Sequence, residues 1–368
     1  MKIAIVLNTS WNVYNFRMGL IKALQNEGYD ITVIAPRDEY SEKIIQAGCI
    51  FEEVKLDSRG ANVLKDLGLV FELISIYRKV QPDVILHYTI KPNIYGTIAA
   101  KILNIPAVNN VCGLGTVFLK KNFVSKVASL MYKIAFKFPD KVFFQNNYDR
   151  RLFIKNGLVR ERISDILPGS GIDLEKFRNA GFKRNSKFTF LLISRLIHDK
   201  GILEYIKAVE ILKSKGVDAN FQILGPKDPN HKRGIKTDII NEWINNNVIE
   251  YLGTTDDVRS FINNSDCVVL PSYREGTPKT LLEAASSAKP IITTNVPGCK
   301  DVVTHNYNGL LCKVRDAKDL AKKMNHIASL DDKQLEEFGN NGRKKVEAEY
   351  SENIVIDKYL QTIEKVLG

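Results

Sequence analysis

The sequence predicts an α/β protein with two parallel, doubly wound sheets. Three observations carry that expectation. Short β-branched runs alternate with helical patterns, as in a parallel sheet with crossover helices. The alternation breaks at a polar, basic stretch and then restarts. Finally, 368 residues are too many for one ordinary core and suit two domains.

In the first half, Ile3–Leu7, Asp30–Ile34, Val84–Leu86, Ala107–Asn110 and Lys141–Phe144 read as strands. Helical spacing recurs over Met18–Glu27, Glu39–Ala47, Leu64–Val80 and Ile94–Leu103. The segment Asn179–Lys187 is short of apolar residues and reads as a linker. Beyond it, Phe188–Ile193, Ala219–Leu224, Ile249–Leu252, Cys267–Leu270 and Pro290–Thr293 read as strands of a second sheet. Gly201–Lys215, Thr237–Asn245, Thr255–Asn263 and Pro278–Ala288 read as its helices. The last helix, Asn353–Val366, carries an apolar stripe of Ile354, Ile356, Tyr359, Leu360 and Ile363. Two such domains imply a cleft, with ligands at strand C-terminal ends.

Composition narrows the function. Hydrophobic content of 44% and charged content of 26% are those of a soluble globular chain. No apolar run approaches the ~20 residues that cross a bilayer. Met1–Leu7 has the look of a signal peptide but is short and lacks a cleavage site, so a buried first strand is expected. The five cysteines are scattered, without a metal-binding spacing, which suits a reducing cytoplasm. A net charge of +11 suits phosphorylated substrates or anionic lipid. Nucleic acid is the weaker reading, because no DNA- or RNA-binding motif is present.

The most informative stretch is Pro271-Ser-Tyr-Arg-Glu275-Gly276-Thr277-Pro278-Lys279-Thr280-Leu-Leu-Glu283-Ala284. A strand ends at Pro271, and a loop carries Glu275 and Gly276. Thr277 is expected as N-cap and Pro278 as the first helical residue. Two carboxylates then flank a helix N-terminus suited to phosphate, which reads as a nucleotide-sugar pocket. Taken singly, each Glu is as well read as a solvated surface residue. The second signal is Ser194-Arg195-Leu-Ile-His-Asp-Lys200-Gly201, on a loop after a strand. Arg195 offers a bidentate fork and Lys200 a point charge, together a clamp for a diphosphate. A basic pair on a loop is otherwise merely solvated; the downstream Glu275 motif favours the clamp.

This pattern resembles the Glu-x7-Glu motif of family 4 of the retaining GT-B glycosyltransferases, and the resemblance spans nearly the whole chain. It implies that Glu275 contacts the donor sugar, Glu283 the ribose, and Arg195 and Lys200 the diphosphate. It also implies donor contacts from Gly276, Thr277, Pro278 and Lys279. Chemistry would follow front-face attack without a metal or other cofactor, with a UDP-sugar as substrate. Glu275, Arg195 and Lys200 are the catalytic candidates. The implied domains are an acceptor-binding Rossmann-like domain over 1–178, a linker over 179–187, a nucleotide-sugar domain over 188–350, and a helix over 351–368 crossing back to the first domain.

Acceptor-side candidates lie on loops of the first domain. Asn15 and Arg17 follow the first strand, where many family members have a Gly-rich turn that this chain lacks. His87 and Lys91 follow the third strand. His87 is read equally well as a satisfied core histidine, and Lys91 as a partner for an acceptor phosphate. Gly113 and Gly115 allow close backbone approach. The family commonly places a sugar-contacting His near here, and this chain has Cys112. Gly169-Ser170-Gly171-Ile-Asp173 resembles the family's domain-junction turn.

From Phe118 to Pro139 the chain holds no acidic residue and carries Lys120, Lys121, Lys126, Lys133 and Lys137. Phe123, Val127, Leu130, Met131, Ile134 and Phe138 fall at helical spacing. The segment reads as a basic amphipathic membrane-surface element or as a helix packed on the first sheet. Related bacterial transferases act on undecaprenyl-diphosphate-linked sugars. The resemblance thus implies a peripheral enzyme on the cytoplasmic membrane face that takes a lipid-linked saccharide acceptor, with an N-acetylhexosamine as donor sugar. The alternatives are a nucleotide-sugar epimerase of the same fold and a non-catalytic nucleotide- or lipid-binding module.

Overall fold

A computed structural model describes residues 1–56, 63–114 and 123–368. Contacts divide the chain into two compact units, Met1–Ser170 with Glu352–Gly368, and Gly171–Ser351.

The first unit holds β1 (Lys2–Val6), α1 (Ser10–Phe16), α2 (Met18–Asn26), β2 (Asp30–Ala35), α3 (Ser41–Gln46), β3 (Ile50–Glu53), α4 (Val63–Val80), β4 (Val84–Tyr88), α5 (Thr97–Ile102), β5 (Ala107–Val111), α6 (Phe123–Ala135), β6 (Lys141–Phe144), α7 (Asn147–Lys155) and β7 (Ser164–Ile166). Its seven strands run in the order β3-β2-β1-β4-β5-β6-β7, and every pairing is parallel. The order of connection reverses between β1 and β4, the switch point at which such sheets bind ligands. Apolar side chains cover both faces. One core joins Ala4, Val6 and Ile85 to α4, α5, α6 and α7. The other joins Ile3, Ile5 and Leu86 to α2 and to residues of the chain's last helix.

The second unit holds β8 (Phe188–Ile193), α8 (Ile202–Ser214), β9 (Ala219–Leu224), α9 (Thr237–Asn245), β10 (Glu250–Tyr251), α10 (Arg259–Asn263), β11 (Cys267–Leu270), α11 (Lys279–Ser286), β12 (Ile291–Thr294), α12 (Cys299–Val302), β13 (Gly309–Cys312), α13 (Ala317–Ala328) and α14 (Asp332–Glu349). The order is β10-β9-β8-β11-β12-β13, again all parallel. Its switch point lies between β8 and β11.

α15 (Glu352–Leu367) belongs to the first unit. Val355, Tyr359 and Ile363 are buried against β1 and its neighbours, worth roughly 1.5–3 kcal/mol per large apolar side chain. Asn110 Nδ2 donates to Tyr359 Oη at 2.9 Å, and Lys358 donates to the Ile166 carbonyl at 2.7 Å.

The chain passes between units at Ser170–Gly171, earlier than residue 178. Gly169 and Gly171 adopt φ of 66° and 72° there. The stretch 179–187, expected as a linker, lies within the second unit. Arg184 donates to the carbonyls of Leu330 and Ala328 at 3.0 Å, and Asn185 binds the Asp266 carboxylate. The helix expected over Thr255–Asn263 is confined to α10, because Asp257 Oδ1 accepts from Arg259 N and Thr255 Oγ1 from Asp257 N, which holds the preceding residues in a turn.

Candidate functional site

The candidate site stands at the switch point of the second unit, where the loops after β8 and β11 meet. Two glycines fix the loops. Gly201, at φ 72°, precedes α8. A Cβ there would lie 2.1 Å from the Pro271 carbonyl oxygen, so no other residue fits without moving the end of β11. Gly298, at φ 83°, lies after β12, and a Cβ would sit 2.5 Å from the Glu275 carbonyl oxygen and 2.4 Å from that of Gly276. The Glu275 loop is therefore held from both sides by backbone.

That packing joins the two motifs. Lys200 Nζ lies 2.5 Å from Glu275 Oε1, and Ser272 Oγ donates to the same oxygen at 2.6 Å. The Lys200 and Glu275 side chains are 23% and 14% exposed. The Thr294 hydroxyl donates to the Ser272 carbonyl, which ties the β11 loop to the end of β12. One carboxylate oxygen of Glu275 is thus fixed by a cation and a hydroxyl, which also fixes the direction of its partner oxygen.

Arg195 is placed differently. Its side chain is 55% exposed and stands 3.9 Å from Asp228 Oδ2, on the loop after β9. The ion pair is long and its arginine end is solvated, so the guanidinium is available to an anion at little cost. The structure brings Lys200 to Glu275 and leaves Arg195 on the solvent side of the same loop.

The N-terminus of α11 differs from expectation by one residue. The Pro278 carbonyl accepts from Leu281 N at 3.0 Å, and Pro278 has extended backbone with ψ of 114°. Pro278 is therefore the N-cap and Lys279 the first helical residue; Thr277 lies before the cap. Gly276 is buried, while Thr277 and Lys279 are half-buried. Glu283 is half-buried on α11, and burial pushes its carboxyl pKa up, with Lys279 opposing.

Sequence reasoning missed several groups that complete this site. Ser272 is adjacent to the motif, but only the fold shows that its hydroxyl binds Glu275. Arg233 pairs with Asp199 at 2.6 Å, and the Asp199 carbonyl accepts from Tyr273 N at 2.8 Å. Tyr273 Oη donates to Glu204 at 2.7 Å, under the Arg315 guanidinium at 4.6 Å from the ring centroid. These contacts brace the Arg195–Lys200 loop against the Glu275 loop. Cys299, buried on α12, has its thiol pushed up to about 12 by burial and by Glu275; Lys300 is exposed.

In the first unit, the segment expected as a loop after β1 contains α1, capped by Thr9. Asn15 Nδ2 donates to the Trp11 carbonyl of the same helix, and Arg17 is buried. His87 is a core histidine, which corrects its acceptor-side reading. It is fully buried, with Nε2 at 2.9 Å from Tyr77 Oη and Nδ1 at 3.0 Å from Asn109 Oδ1. Burial lowers its pKa to about 4, against the opposing Asn109 bond. Lys91 is half-buried before the π-turn at Pro92–Gly96. Gly113 is half-buried at φ 136°. Gly115, Lys120, Lys121 and the Phe123 side chain lie outside the described residues.

The amphipathic segment forms α6, and its apolar residues divide. Tyr132, Ala135 and Phe136 join the core, with Met131 packed against it. Leu130, Ile134 and Phe138 face outward, 58%, 41% and 40% exposed, beside exposed Lys126, Lys133 and Lys137. Among the described residues, no helix is long and apolar enough to cross a membrane.

Comparisons with known proteins identify the family and the fold. The family model described as glycosyl transferases group 1 matches residues 173–345, and that described as glycosyl transferase 4-like matches residues 2–146. A Campylobacter jejuni protein named N,N'-diacetylbacillosaminyl-diphospho-undecaprenol alpha-1,3-N-acetylgalactosaminyltransferase is 30% identical, covering 100% of this chain and 99% of its own. An Escherichia coli UDP-Gal:alpha-D-GlcNAc-diphosphoundecaprenol alpha-1,3-galactosyltransferase is 28% identical over 88% of this chain and 86% of its own. Among solved structures, a Rickettsia africae glycosyltransferase superposes with a TM-score of 0.82 at 20% identity, covering 100% of this chain and 98% of its own. Anabaena HepE in complex with UDP superposes at 0.79 and 17% identity, covering 99% and 100%. These two share the GT-B fold. The two family models and the full-length Campylobacter relative place the chain in the group 1 glycosyl transferases, and it is a GT-B glycosyltransferase.

Proposed function

We propose that the protein moves an N-acetylhexosamine from a UDP-sugar to a saccharide carried on undecaprenyl diphosphate, at the surface of a membrane. The observation that carries the donor side is the Lys200–Glu275–Ser272 cluster at the second unit's switch point. The names of the Campylobacter and Escherichia coli relatives support the lipid-linked acceptor. Arg195 and Lys200 meet the donor diphosphate, and Glu283 accepts from the ribose. Glu275 accepts from the sugar hydroxyls.

The reaction then needs charge stabilisation at one place. As the bond from the sugar C1 to the diphosphate oxygen breaks, negative charge grows on the phosphate. Arg195, Lys200 and the N–H groups of the first turn of α11 are aimed at that charge. The acceptor oxygen bonds to C1 from the same face, and its proton passes to the departing phosphate oxygen. Configuration is retained. With this charge met by protein groups, we propose that turnover needs no metal or other cofactor.

The outward row of Leu130, Ile134 and Phe138 among lysines is proposed to dock on anionic lipid from the cytoplasmic side. Each basic residue near such a surface is worth about 1 kcal/mol. The basic balance of the chain is assigned to phosphate and lipid rather than to nucleic acid. The test is transfer from UDP-N-acetylhexosamines to a prenyl-diphosphate saccharide in a chelator. Formation of an α-linked product supports the reading. Epimerisation of UDP-sugar without acceptor, or nucleotide binding without turnover, would replace it with one of the alternative functions.

A further inference from the structure

Arg17 is a buried cation with no carboxylate beside it. It is 3% exposed, and among the described residues no acidic side chain pairs with it. Its Nη2 lies 3.6 Å from Cys112 Sγ, and its Nη1 donates to the Phe16 carbonyl at 3.4 Å. The guanidinium lies over the Tyr88 ring at 4.3 Å, and Nε is buried without a partner. An arginine stays charged in proteins, and a buried charge without a counter-charge is costly. Such a group calls for an explanation.

Its location supplies one. Tyr88 ends β4, and Cys112 follows β5. Val6 of β1 pairs with His87 of β4, so continuing that register sets Asn8 beside Thr89. Both residues are half-buried and stand at the C-terminal ends of β1 and β4, the first unit's switch point. Asn8 Oδ1, Thr89 Oγ1 and Asn93 Oδ1 are buried without partners. Thr89 is held at φ 65°, a backbone conformation that is strained for a β-branched residue. A buried positive charge and an unanswered hydroxyl, that of Thr89, therefore stand at the strand ends where this sheet class binds ligands.

We propose that Arg17, with Asn8 and Thr89, forms a phosphate-binding site in the first unit that receives the diphosphate of the acceptor. The proposal rests on the lipid-diphosphate acceptor of the preceding section. The Thr89 hydroxyl and the Asn8 side-chain amide N–H donate to the phosphate oxygens. Arg17 supplies the counter-charge from a low-dielectric position, where it is weakly screened. This makes Arg17 a determinant of acceptor specificity, selecting a sugar on an anionic carrier over the same sugar on a neutral one.

The test compares two acceptors bearing one saccharide, a short-chain prenyl diphosphate and a neutral alkyl glycoside. Arg17→Gln is expected to raise KM for the diphosphate acceptor roughly 10- to 150-fold, as for a lost charged hydrogen bond. KM for the neutral glycoside and the Kd of UDP should stay within about twofold, and Arg17→Lys should restore part of the loss. Equal losses on both acceptors would overturn the proposal. A matching loss of UDP affinity would also overturn it, by giving the site to the donor's phosphates. A second measurement needs neither transfer nor the Arg17 variants to fold. With UDP saturating, inorganic pyrophosphate should raise the melting temperature of the wild type and not that of Asn8→Ala. Equal rises, or none in the wild type, would sink the site. The expected difference without transfer to any lipid-linked acceptor would uphold an anion site and reject the acceptor reading.

Discussion

Cutting the Lys200–Glu275 contact is expected to have a measurable cost before any substrate is added. The pair is short, at 2.5 Å, and mostly shielded from water. Removing one member of a fully buried pair costs about 3–5 kcal/mol, mostly from the stranded charge. Here Lys200 is 23% exposed and Glu275 keeps the Ser272 hydroxyl, so Lys200→Ala should cost about 2–3 kcal/mol, below that range. For a unit of this size, that lowers the melting temperature by roughly 5–10 °C. Glu275→Gln keeps acceptor capacity for Lys200 and should cost about 1 kcal/mol. The double variant should fall short of the sum by about 1–2 kcal/mol, because the second change removes a charge already stranded. Calorimetry of the four proteins at pH 7 reads this coupling. Arg195→Ala is the control: its long pair, with the guanidinium in solvent, should be worth under about 1 kcal/mol in stability, while its loss should weaken UDP by roughly 1.5–3 kcal/mol. Additivity within about 0.5 kcal/mol would refute the claim that Lys200 holds Glu275 in place.

Other expectations follow from the same geometry. Glu275→Gln should reduce turnover while sparing UDP affinity, whereas Glu283→Ala should weaken UDP itself; titration calorimetry beside initial rates separates the two, and equal UDP losses would show the roles misassigned. Gly201→Ala should destabilise the second unit by about 1–3 kcal/mol, since it combines a strained φ with a clash against backbone; an unchanged melting temperature would show that the β8 and β11 loops are not locked together. His87 has a folded pKa of about 4, below its unfolded value near 6.5, so its contribution is fully present above pH 6.5 and lost as pH falls toward 4. That amounts to about 3 kcal/mol, and denaturant titrations from pH 7 to 4 should show a slope that His87→Gln flattens. Replacing Lys126, Lys133 and Lys137 with Glu should abolish binding to anionic vesicles, and raised salt should weaken the wild-type interaction; salt-independent binding would leave α6 as core packing alone.

The central strands were legible because burial on both faces leaves a plain signature. β1 and β8 are continuous apolar runs, and both sit beside the switch points of their sheets. Of the four edge strands, β10 is legible and the other three are not. β3 is half-exposed Ile-Phe-Glu-Glu, β7 is three residues with two only half-buried, and β13 begins with a glycine; such strands owe their pairing to neighbours rather than to their own pattern. α1 was taken for loop because its Asn- and aromatic-containing sequence is a weak helix former; its signal was Thr9, whose hydroxyl accepts from Asn12 N. In the α6 segment the periodicity marks one apolar row that includes Leu130, Ile134 and Phe138, yet packing buries the adjoining Tyr132 and Phe136 and leaves those three exposed. The site motifs stood out singly, yet the contact between Lys200 and Glu275 spans 75 positions. No local pattern encodes it, although the glycines at 201 and 298 mark where backbones must approach. Arg17 reads from sequence as an acceptor-side loop candidate; its burial without an acidic partner among the described residues is a property of the fold.

The donor nucleotide is proposed to be held at the second unit's switch point. A crystal structure with UDP bound tests it most directly. It should place the diphosphate within hydrogen-bond reach of Arg195, Lys200 and the first turn of α11, with both ribose hydroxyls on the Glu283 carboxylate. Ordered UDP elsewhere on the chain, with Glu283 and Lys200 untouched, would contradict the account.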